Sequence, residues 1–143
     1  MAELVAINIS KQKGIPKEAI PEGRLLEDFG LEGDAHSGKW HRQLSLLGTE
    51  SIKKIEDMGM EGLCTGRFAE NLTTRGIILY ELEPGTKFTV GPCLLEVTQI
   101  GKECHQHCAI YHQVGDCVMP REGIFARVLR GGIIRPGDPI ELC

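Results

Sequence analysis

Short apolar runs, separated by glycine and proline, dominate the pattern of hydrophobic and polar positions along this chain. Within Ile124–Leu129 the side chains alternate between two faces, a pattern typical of a strand. Comparable runs predict further strands at Ala2–Ile9, Gln43–Leu47, Lys87–Val90, Leu94–Ile100 and Pro139–Leu142. Many short strands with few helices predict a mostly β fold, either a β-barrel or a strongly curved sheet.

Helical spacing is confined to short segments. Thr49 suits the N-cap position of a helix, Ile52 and Ile55 follow on one face, and Gly59 ends the run. The segment Glu103–Val114 is also predicted as a short helix. Two stretches that are dense in glycine, proline or charge are predicted as loops: Ser10–Arg24 and Leu25–Trp40.

The length of 143 residues fits one domain over 1–143, because domains of soluble proteins run to roughly 100–200 residues. Hydrophobic residues make up 41% of the chain and charged residues 25%, which is ordinary for a globular protein. The formal net charge of −4 argues against a nucleic-acid-binding protein, since such a protein needs a basic face to neutralise phosphates.

Nothing in the sequence indicates a membrane or secreted protein. No segment reaches the ~18 consecutive apolar residues that a membrane helix needs, and the N-terminus lacks the basic start of a secretion signal. We therefore expect a cytoplasmic protein with reduced thiols. Its six cysteines are then expected as ligands, nucleophiles or buried side chains rather than as disulfides. The buried role is predicted for Cys64, Cys93 and Cys143.

The densest chemical feature is the Cys/His cluster, Cys104–Cys117, which holds three of the six cysteines and three of the five histidines. On a helix, Cys104, Cys108 and His112 would lie at i, i+4 and i+8 on one face. Two thiolates and an imidazole suit zinc or a softer metal ion. A cysteine beside histidines and Lys102 is also typical of nucleophilic or persulfide chemistry, because its thiolate form is favoured there.

A second candidate is the glycine-rich segment, residues 30–43. Its glycines let backbone N–H groups approach a ligand, and its cationic or imidazole side chains are His36, Lys39, His41 and Arg42. Such a loop suits a phosphate or another anion, although it lacks the spacing of a Walker loop. On charge and glycine content alone, a solvated connection rich in turns is an equal alternative.

A third segment, Gly66–Leu72, places Glu70 and Asn71 side by side in a mostly apolar stretch. Side chains of this kind order loops by hydrogen bonds to nearby backbone groups. Structural support is the better interpretation of Glu70. For Asn71, a structural role and a binding role are evenly balanced.

Four groups of motifs, in order along the chain, resemble the MOSC domain, which is found at the C-terminus of molybdenum cofactor sulfurases. The groups are Gly30–His36 with Arg42–Leu47, then Phe68–Leu72 with Gly76-Ile77, then Gly85 with Phe88–Gly91 and Leu94–Thr98, then Ile124–Leu129 with Gly132 and Gly137–Ile140. The resemblance runs from Arg24 to Leu142 and so covers most of the chain.

This resemblance implies a MOSC-like β-barrel and a role around the molybdenum cofactor (molybdopterin), a pterin that carries a dithiolene and a phosphate. By position, the family's cysteine corresponds to Cys108, which would ligate molybdenum or carry sulfur as a persulfide. The residues before Cys108 lack the family's Arg-x-Pro lead, so Cys104 and Cys117 stay open as alternatives or as a second thiol. The implied activities are sulfur transfer and molybdenum-dependent reduction.

The resemblance also implies binding residues and partners. The residues expected to contact the cofactor, the basic ones through its phosphate, are His36, Lys39, His41, Arg42, Arg67 and Asn71. A cysteine desulfurase or a cofactor-biosynthesis enzyme is the expected partner, with no nucleic acid and no membrane. Pyridoxal phosphate is not expected, because the chain is too short for the separate domain that binds it in the sulfurase proper.

Two other hypotheses stay open. In the first, the chain is a non-catalytic zinc or soft-metal-binding module that uses Cys104, Cys108, His112 and Cys117. In the second, it is a structural partner of cofactor-biosynthesis enzymes and has no chemistry of its own.

Overall fold

Strands make up most of the regular structure in the computed structural model, which describes residues 2–11, 17–35, 37–40, 42–57, 70–101 and 123–143. In chain order the elements are β1 (Glu3–Ile9), β2 (Glu18–Ile20), β3 (Gly23–Leu26), β4 (Gly30–Leu31), β5 (Leu44–Gly48), α1 (Thr49–Asp57), β6 (Leu72–Arg75), a single 3₁₀ turn (Leu79–Glu81), β7 (Lys87–Val90), β8 (Cys93–Ile100), β9 (Ile124–Arg130), β10 (Gly132–Ile134) and β11 (Ile140–Leu142).

The described strands form two sheets. The larger has eight strands in the order β11-β7-β8-β9-β5-β6-β1-β2, and the smaller has three in the order β10-β3-β4. Neighbouring strands are antiparallel, except that β5 and β6 run parallel with Leu46 opposite Leu72. A parallel pair needs a crossover connection, and α1 supplies its first part.

The predicted mostly β fold is confirmed, but the described strands do not close into a barrel. Both sheets are open in the part of the chain that the structure describes, with β2 and β11 at the two edges of the larger one. Backbone bonds nevertheless join β1 to the start of β11: Leu4 N donates to Asp138 O at 2.9 Å, and Ile140 N donates to Ala2 O at 3.0 Å. Pro139 faces Glu3 in the single bridge there and has no N–H to extend a ladder.

One face of the β8–β9 pair packs into the hydrophobic core, and the opposite face carries polar side chains. Leu95, Val97 and Val128 are buried in the core, whereas Glu96 and Arg127 pair with each other on the opposite face. Fully burying a side chain such as Leu95 contributes about 1.5–3 kcal/mol. Because a shift by one residue would turn these side chains outward, core burial sets which polar groups face solvent.

All six strands predicted from the pattern are confirmed, as is a helix that begins at Thr49. Several short strands were missed because they read as loops or as polar sequence. The clearest is β6, Leu-Thr-Thr-Arg, in which Thr73 and Thr74 are fully buried. Because the two threonine hydroxyls make this segment look polar, its sequence does not predict a strand, yet the segment lies between β5 and β1 in the sheet.

The predicted helix Glu103–Val114 lies outside the described residues. None of the helices that the structure does describe is long and apolar enough to span a membrane.

Candidate functional site

The Cys/His cluster is carried by the connection from β8 to β9. This connection leaves the sheet at Gly101 and returns to it at Gly123, and Gly101 N donates a hydrogen bond of 2.6 Å to Gly123 O. Gly101 and Gly123, which flank residues 102–122 in the chain, therefore lie together at one point of the sheet, which we call the mouth. Cys104, Cys108 and Cys117 themselves lie outside the described residues, as do His36, His41 and Arg67.

Arg42 lies at the mouth. Its Nε donates to Gln99 Oε1 at 3.2 Å, and Gln99 Nε2 in turn donates to Gly101 O at 2.7 Å. The guanidinium carbon lies 5.0 Å from the centre of the Phe125 ring, a cation–π contact. The half-buried side chain is thus held on two sides. Its two terminal amino groups make no hydrogen bond or ion pair within the described part of the chain.

Lys39, the other basic residue of the glycine-rich segment that the structure describes, lies on the same face but not at the mouth. Lys39 and Trp40 are exposed and line an open groove of about 540 Å³, the outer groove. Glu96 and Arg127 also line this groove, and they pair in the β8–β9 ladder beyond the Gln99–Phe125 pair at the mouth. The two members of the predicted basic set that the structure describes therefore lie at two adjacent positions, with Arg42 at the mouth and Lys39 in the outer groove.

The glycine-rich segment is fastened to the sheet by a buried ion pair. Lys17 Nζ lies 2.7 Å from Asp34 Oδ1, and both side chains are fully buried. Ser10 completes this ionic anchor, since its backbone N–H donates to Asp34 Oδ1 at 3.1 Å and its hydroxyl accepts from Lys17 Nζ at 3.2 Å. Asp34 is thus tied to the end of β1, which argues against a loosely solvated loop here.

Sequence reasoning did not single out Lys17. A lysine among glycine and proline is usually interpreted as a solvent-exposed charge, so no local pattern marked this lysine as buried. Only the folded chain shows that it neutralises Asp34, and a buried carboxylate without such a partner would be very costly.

Asn71 belongs to a second buried cluster, the amide network. Its Oδ1 accepts from Ser45 N at 3.0 Å, and its Nδ2 donates to Asn8 O at 3.3 Å. Its backbone N–H donates to Ser45 O at 2.9 Å, and its backbone C=O accepts from Asn8 N at 2.7 Å. Asn71 is 0% exposed. In this arrangement it braces the start of β6 between β5 and β1.

Glu70 and Thr73 extend the amide network. Thr73 Oγ1 donates to Glu70 Oε2 at 2.8 Å and accepts from Asn8 Nδ2 at 3.0 Å. Glu70 is fully buried, as its predicted structural role requires. Asn8 was not predicted as part of a site, because a single asparagine within an apolar strand carries no distinguishing pattern.

The two cysteines whose placement is described differ in environment. Cys93 is buried, as predicted, and burial is the main reason that its thiol pKa is raised to about 11. It is therefore a protonated, unreactive thiol at neutral pH. The prediction for Cys143 was wrong: it is exposed, because it follows the last residue of β11 at the edge of the sheet. Cys64 lies outside the described residues.

Among the residues that the structure describes, no group of three or more His, Cys, Asp or Glu side chains is arranged to hold a metal ion. The described part of the site therefore offers cations and hydrogen-bond donors.

Comparison with known proteins agrees with this architecture. The family model of the MOSC domain matches residues 33–141. This match includes most of the glycine-rich segment and the whole Cys/His cluster. Among curated protein sequences, none matches the chain significantly.

Solved structures share the fold. YiiM from Geobacillus stearothermophilus superposes with a TM-score of 0.77 at 24% sequence identity, over 100% of this chain and 75% of that one. The YUAD protein from Bacillus subtilis gives 0.80 at 19% identity, over 99% of this chain and 96% of that one. YiiM from Escherichia coli gives 0.71 at 21%, over 100% and 70%. At these identities the likeness establishes the fold alone.

Proposed function

Because this chain belongs to the MOSC domain family, which is associated with the molybdenum cofactor, we propose that it binds this cofactor or carries sulfur to it through Cys108. In the binding role the Cys108 thiolate ligates molybdenum. In the carrier role the same thiolate holds a persulfide. Cys104 or Cys117 provides the second thiol.

The observation that carries this proposal is the unused end of Arg42 beside the mouth. A guanidinium donates two parallel hydrogen bonds to a phosphate, and it keeps its charge at any physiological pH. Here Nε is bonded to Gln99 and the guanidinium rests over Phe125, so the terminal amino groups are already oriented. These groups fit the phosphate of the pterin, and the chain segment that carries Cys108 begins and ends next to them.

The remaining assignments come from the family resemblance. His36, His41 and Arg67 would add positive charge or donors around the phosphate, which offsets the overall charge of −4 locally, whereas Lys39 lies in the outer groove. When bound, the cofactor would supply molybdenum redox chemistry and a sulfur-accepting centre. The protein's own residues would hold its phosphate, orient its pterin and present one thiolate.

Elemental and pterin analysis of the purified protein tests the binding role. The chain is isolated without chelator from cells that make the cofactor, and molybdenum and fluorescent oxidised pterin are measured per chain. We expect both in wild type and a loss of molybdenum in Cys108→Ala. In Arg42→Gln we expect retained pterin to fall by about tenfold or more, since a charge-assisted bond is lost.

A matched control is Arg24→Gln, which removes an exposed arginine of β3 whose guanidinium lies 3.7 Å from Glu32. Pterin retention should not change in this variant. Stoichiometric zinc without pterin, and with metal kept in Cys108→Ala, would contradict cofactor binding and favour the zinc module.

The carrier role has its own test. The chain is incubated with a cysteine desulfurase and cysteine, and persulfide is detected by mass spectrometry of the labelled peptide. Persulfide on Cys108 supports sulfur carriage with the desulfurase as partner. If the protein stays free of persulfide, pterin and any bound metal, zinc included, after expression with the cofactor pathway, only the structural-partner hypothesis survives.

A further inference from the structure

The outer groove has the size and lining of a small-molecule site, and the proposed cofactor role does not use it. Its volume of about 540 Å³ falls within the ~300–1,000 Å³ typical of ligand pockets. It lies on the outer face of β8 and β9, next to the Pro84–Gly85 turn. The side chains that give it chemical character are Asp28, Lys39, Trp40, Glu96 and Arg127.

Trp40 provides an aromatic wall. It is the only tryptophan in the chain, and 40% of it is exposed. A large indole is costly to leave in water, and it stacks well with another planar ring. An aromatic ligand in the groove would cover this surface.

Asp28 lines the groove from the turn between β3 and β4, where its backbone is in the left-handed region. Its φ of 52° is the only positive value for a non-glycine residue in the described part of the chain. Asp28 N donates to Val128 O at 2.9 Å, and Gln43 Nε2 donates to Asp28 Oδ1 at 2.9 Å. Gln43 is fully buried and is fixed in turn by Val128 N, which donates to its Oε1 at 2.9 Å. These bonds fix the position of the Asp28 carboxylate in the groove.

The second oxygen of Asp28 and the ammonium group of Lys39 are both available to a ligand. Within the described residues neither makes a hydrogen bond or ion pair. Arg127 Nε is bonded to Glu96 Oε1 at 2.6 Å, which fixes the guanidinium and leaves its terminal amino groups to donate. The groove therefore offers donors for an anion and an acceptor for a polar hydrogen.

We propose that the outer groove binds a small aromatic carboxylate that also bears a ring hydroxyl or amino group. The ring stacks on Trp40, the carboxylate is held by Lys39 and Arg127, and the ring donor hydrogen-bonds to Asp28. Arg127 is already paired with Glu96, so Lys39 is the cation in the groove that makes no ion pair within the described residues. Its ammonium offsets the single negative charge of a carboxylate, whereas the second charge of a phosphate dianion would be repelled by Asp28 and Glu96. Binding here does not depend on the molybdenum cofactor.

Fluorescence of Trp40 gives a direct test, because the chain has no other tryptophan. The probe is 4-hydroxybenzoate, titrated into the purified protein with selective indole excitation. We expect saturable quenching for 4-hydroxybenzoate, weaker binding of benzoate because it lacks the ring donor, and weaker binding of phenol because it lacks the carboxylate.

Two variants assign the contacts. Lys39→Met should weaken 4-hydroxybenzoate binding by about tenfold. Asp28→Asn should weaken 4-hydroxybenzoate but leave benzoate unchanged, and asparagine tolerates the same positive φ. Lys53→Met, an exposed lysine of α1, is the matched control and should bind the probe like wild type.

Circular dichroism of each variant establishes that it is folded before it is titrated. Absence of saturable quenching in wild type would overturn the proposal. Equal affinity for benzoate and 4-hydroxybenzoate, or equal affinity in Lys39→Met and wild type, would overturn it too. Tighter binding of phenyl phosphate than of 4-hydroxybenzoate would overturn the carboxylate assignment and point to a phosphate site.

Discussion

Two buried polar clusters hold the frame of the candidate site, and they use different chemistry. The ionic anchor of Lys17, Asp34 and Ser10 fastens the glycine-rich segment to the end of β1. The amide network around Asn71 instead joins three strands mainly through bonds among backbone, amide and hydroxyl groups, and the Glu70 carboxylate accepts from Thr73. In the anchor the stabilisation comes mainly from one pair of charges, whereas in the network it comes from many hydrogen bonds. Because of this difference, we expect the loss of one partner to lower the free energy of unfolding far more in the anchor than in the network.

The largest effect is expected from breaking the anchor at one end. Asp34→Ala leaves the Lys17 ammonium buried without its counter-charge, and Lys17→Ala does the reverse. Each should lower the free energy of unfolding by about 3–5 kcal/mol. Urea unfolding followed by circular dichroism measures this change.

A double replacement distinguishes the attraction between the two charges from the cost of leaving one charge buried without its partner. Lys17→Met combined with Asp34→Leu removes both charges and keeps apolar volume, so it should recover most of the stability lost by either single variant. If the double variant is as unstable as the singles, the anchor contributes by attraction and not merely by neutralising a buried charge.

An intermediate effect is expected in the amide network. Asn71→Ala removes the acceptor of the Ser45 N–H and the donor to Asn8 O, both in a buried setting. Unsatisfied buried groups cost about 1–3 kcal/mol each, but here the backbone bonds of Asn71 persist. We expect a loss of about 2–3 kcal/mol in urea unfolding. A loss as large as that of Asp34→Ala would erase the contrast between the clusters.

A smaller and sharper test comes from two adjacent threonines of β6. Both are fully buried, but Thr73 Oγ1 bonds to Glu70 and Asn8, whereas Thr74 Oγ1 has no hydrogen-bond partner in the described part of the chain. Thr73→Val should cost about 1–2 kcal/mol, and Thr74→Val should be neutral or stabilising. Equal costs in thermal unfolding would show that side-chain hydrogen bonds do not hold this strand.

The smallest effect on stability is expected from a solvent-exposed ion pair, a kind of contact that neither cluster contains. Arg75 donates to Glu3 at the surface, and this hydrogen bond is the main reason that the pKa of Arg75 is raised. Exposed pairs contribute little because water and salt screen them. Glu3→Gln should leave the melting temperature almost unchanged. A loss comparable to that of Asn71→Ala would show that the β1–β6 edge depends on surface charge.

The sequence predicted which kinds of residue form the candidate site, but it did not predict how they are arranged. Residue type and local crowding indicated a thiol segment and a loop suited to anions, and the ordered motifs led to the family. They did not separate Lys39 from Arg42, which lie three positions apart in the chain yet belong to the outer groove and the mouth. That separation comes from Gln99 and Phe125, which meet Arg42 only in the folded sheet.

Local sequence by itself determined the strands with a clear period of two, such as β8 and β9, because that period reflects burial of one face. It also determined that glycine and charge interrupt the chain between β1 and β5. Tertiary structure alone decided that Thr73 and Thr74 are interior, that Lys17 neutralises Asp34, and that β1 meets the residues before β11 at Glu3 and Pro139. The physical reason is that a polar side chain becomes suitable for burial only when a distant partner satisfies it, and distant partners leave no trace in local periodicity.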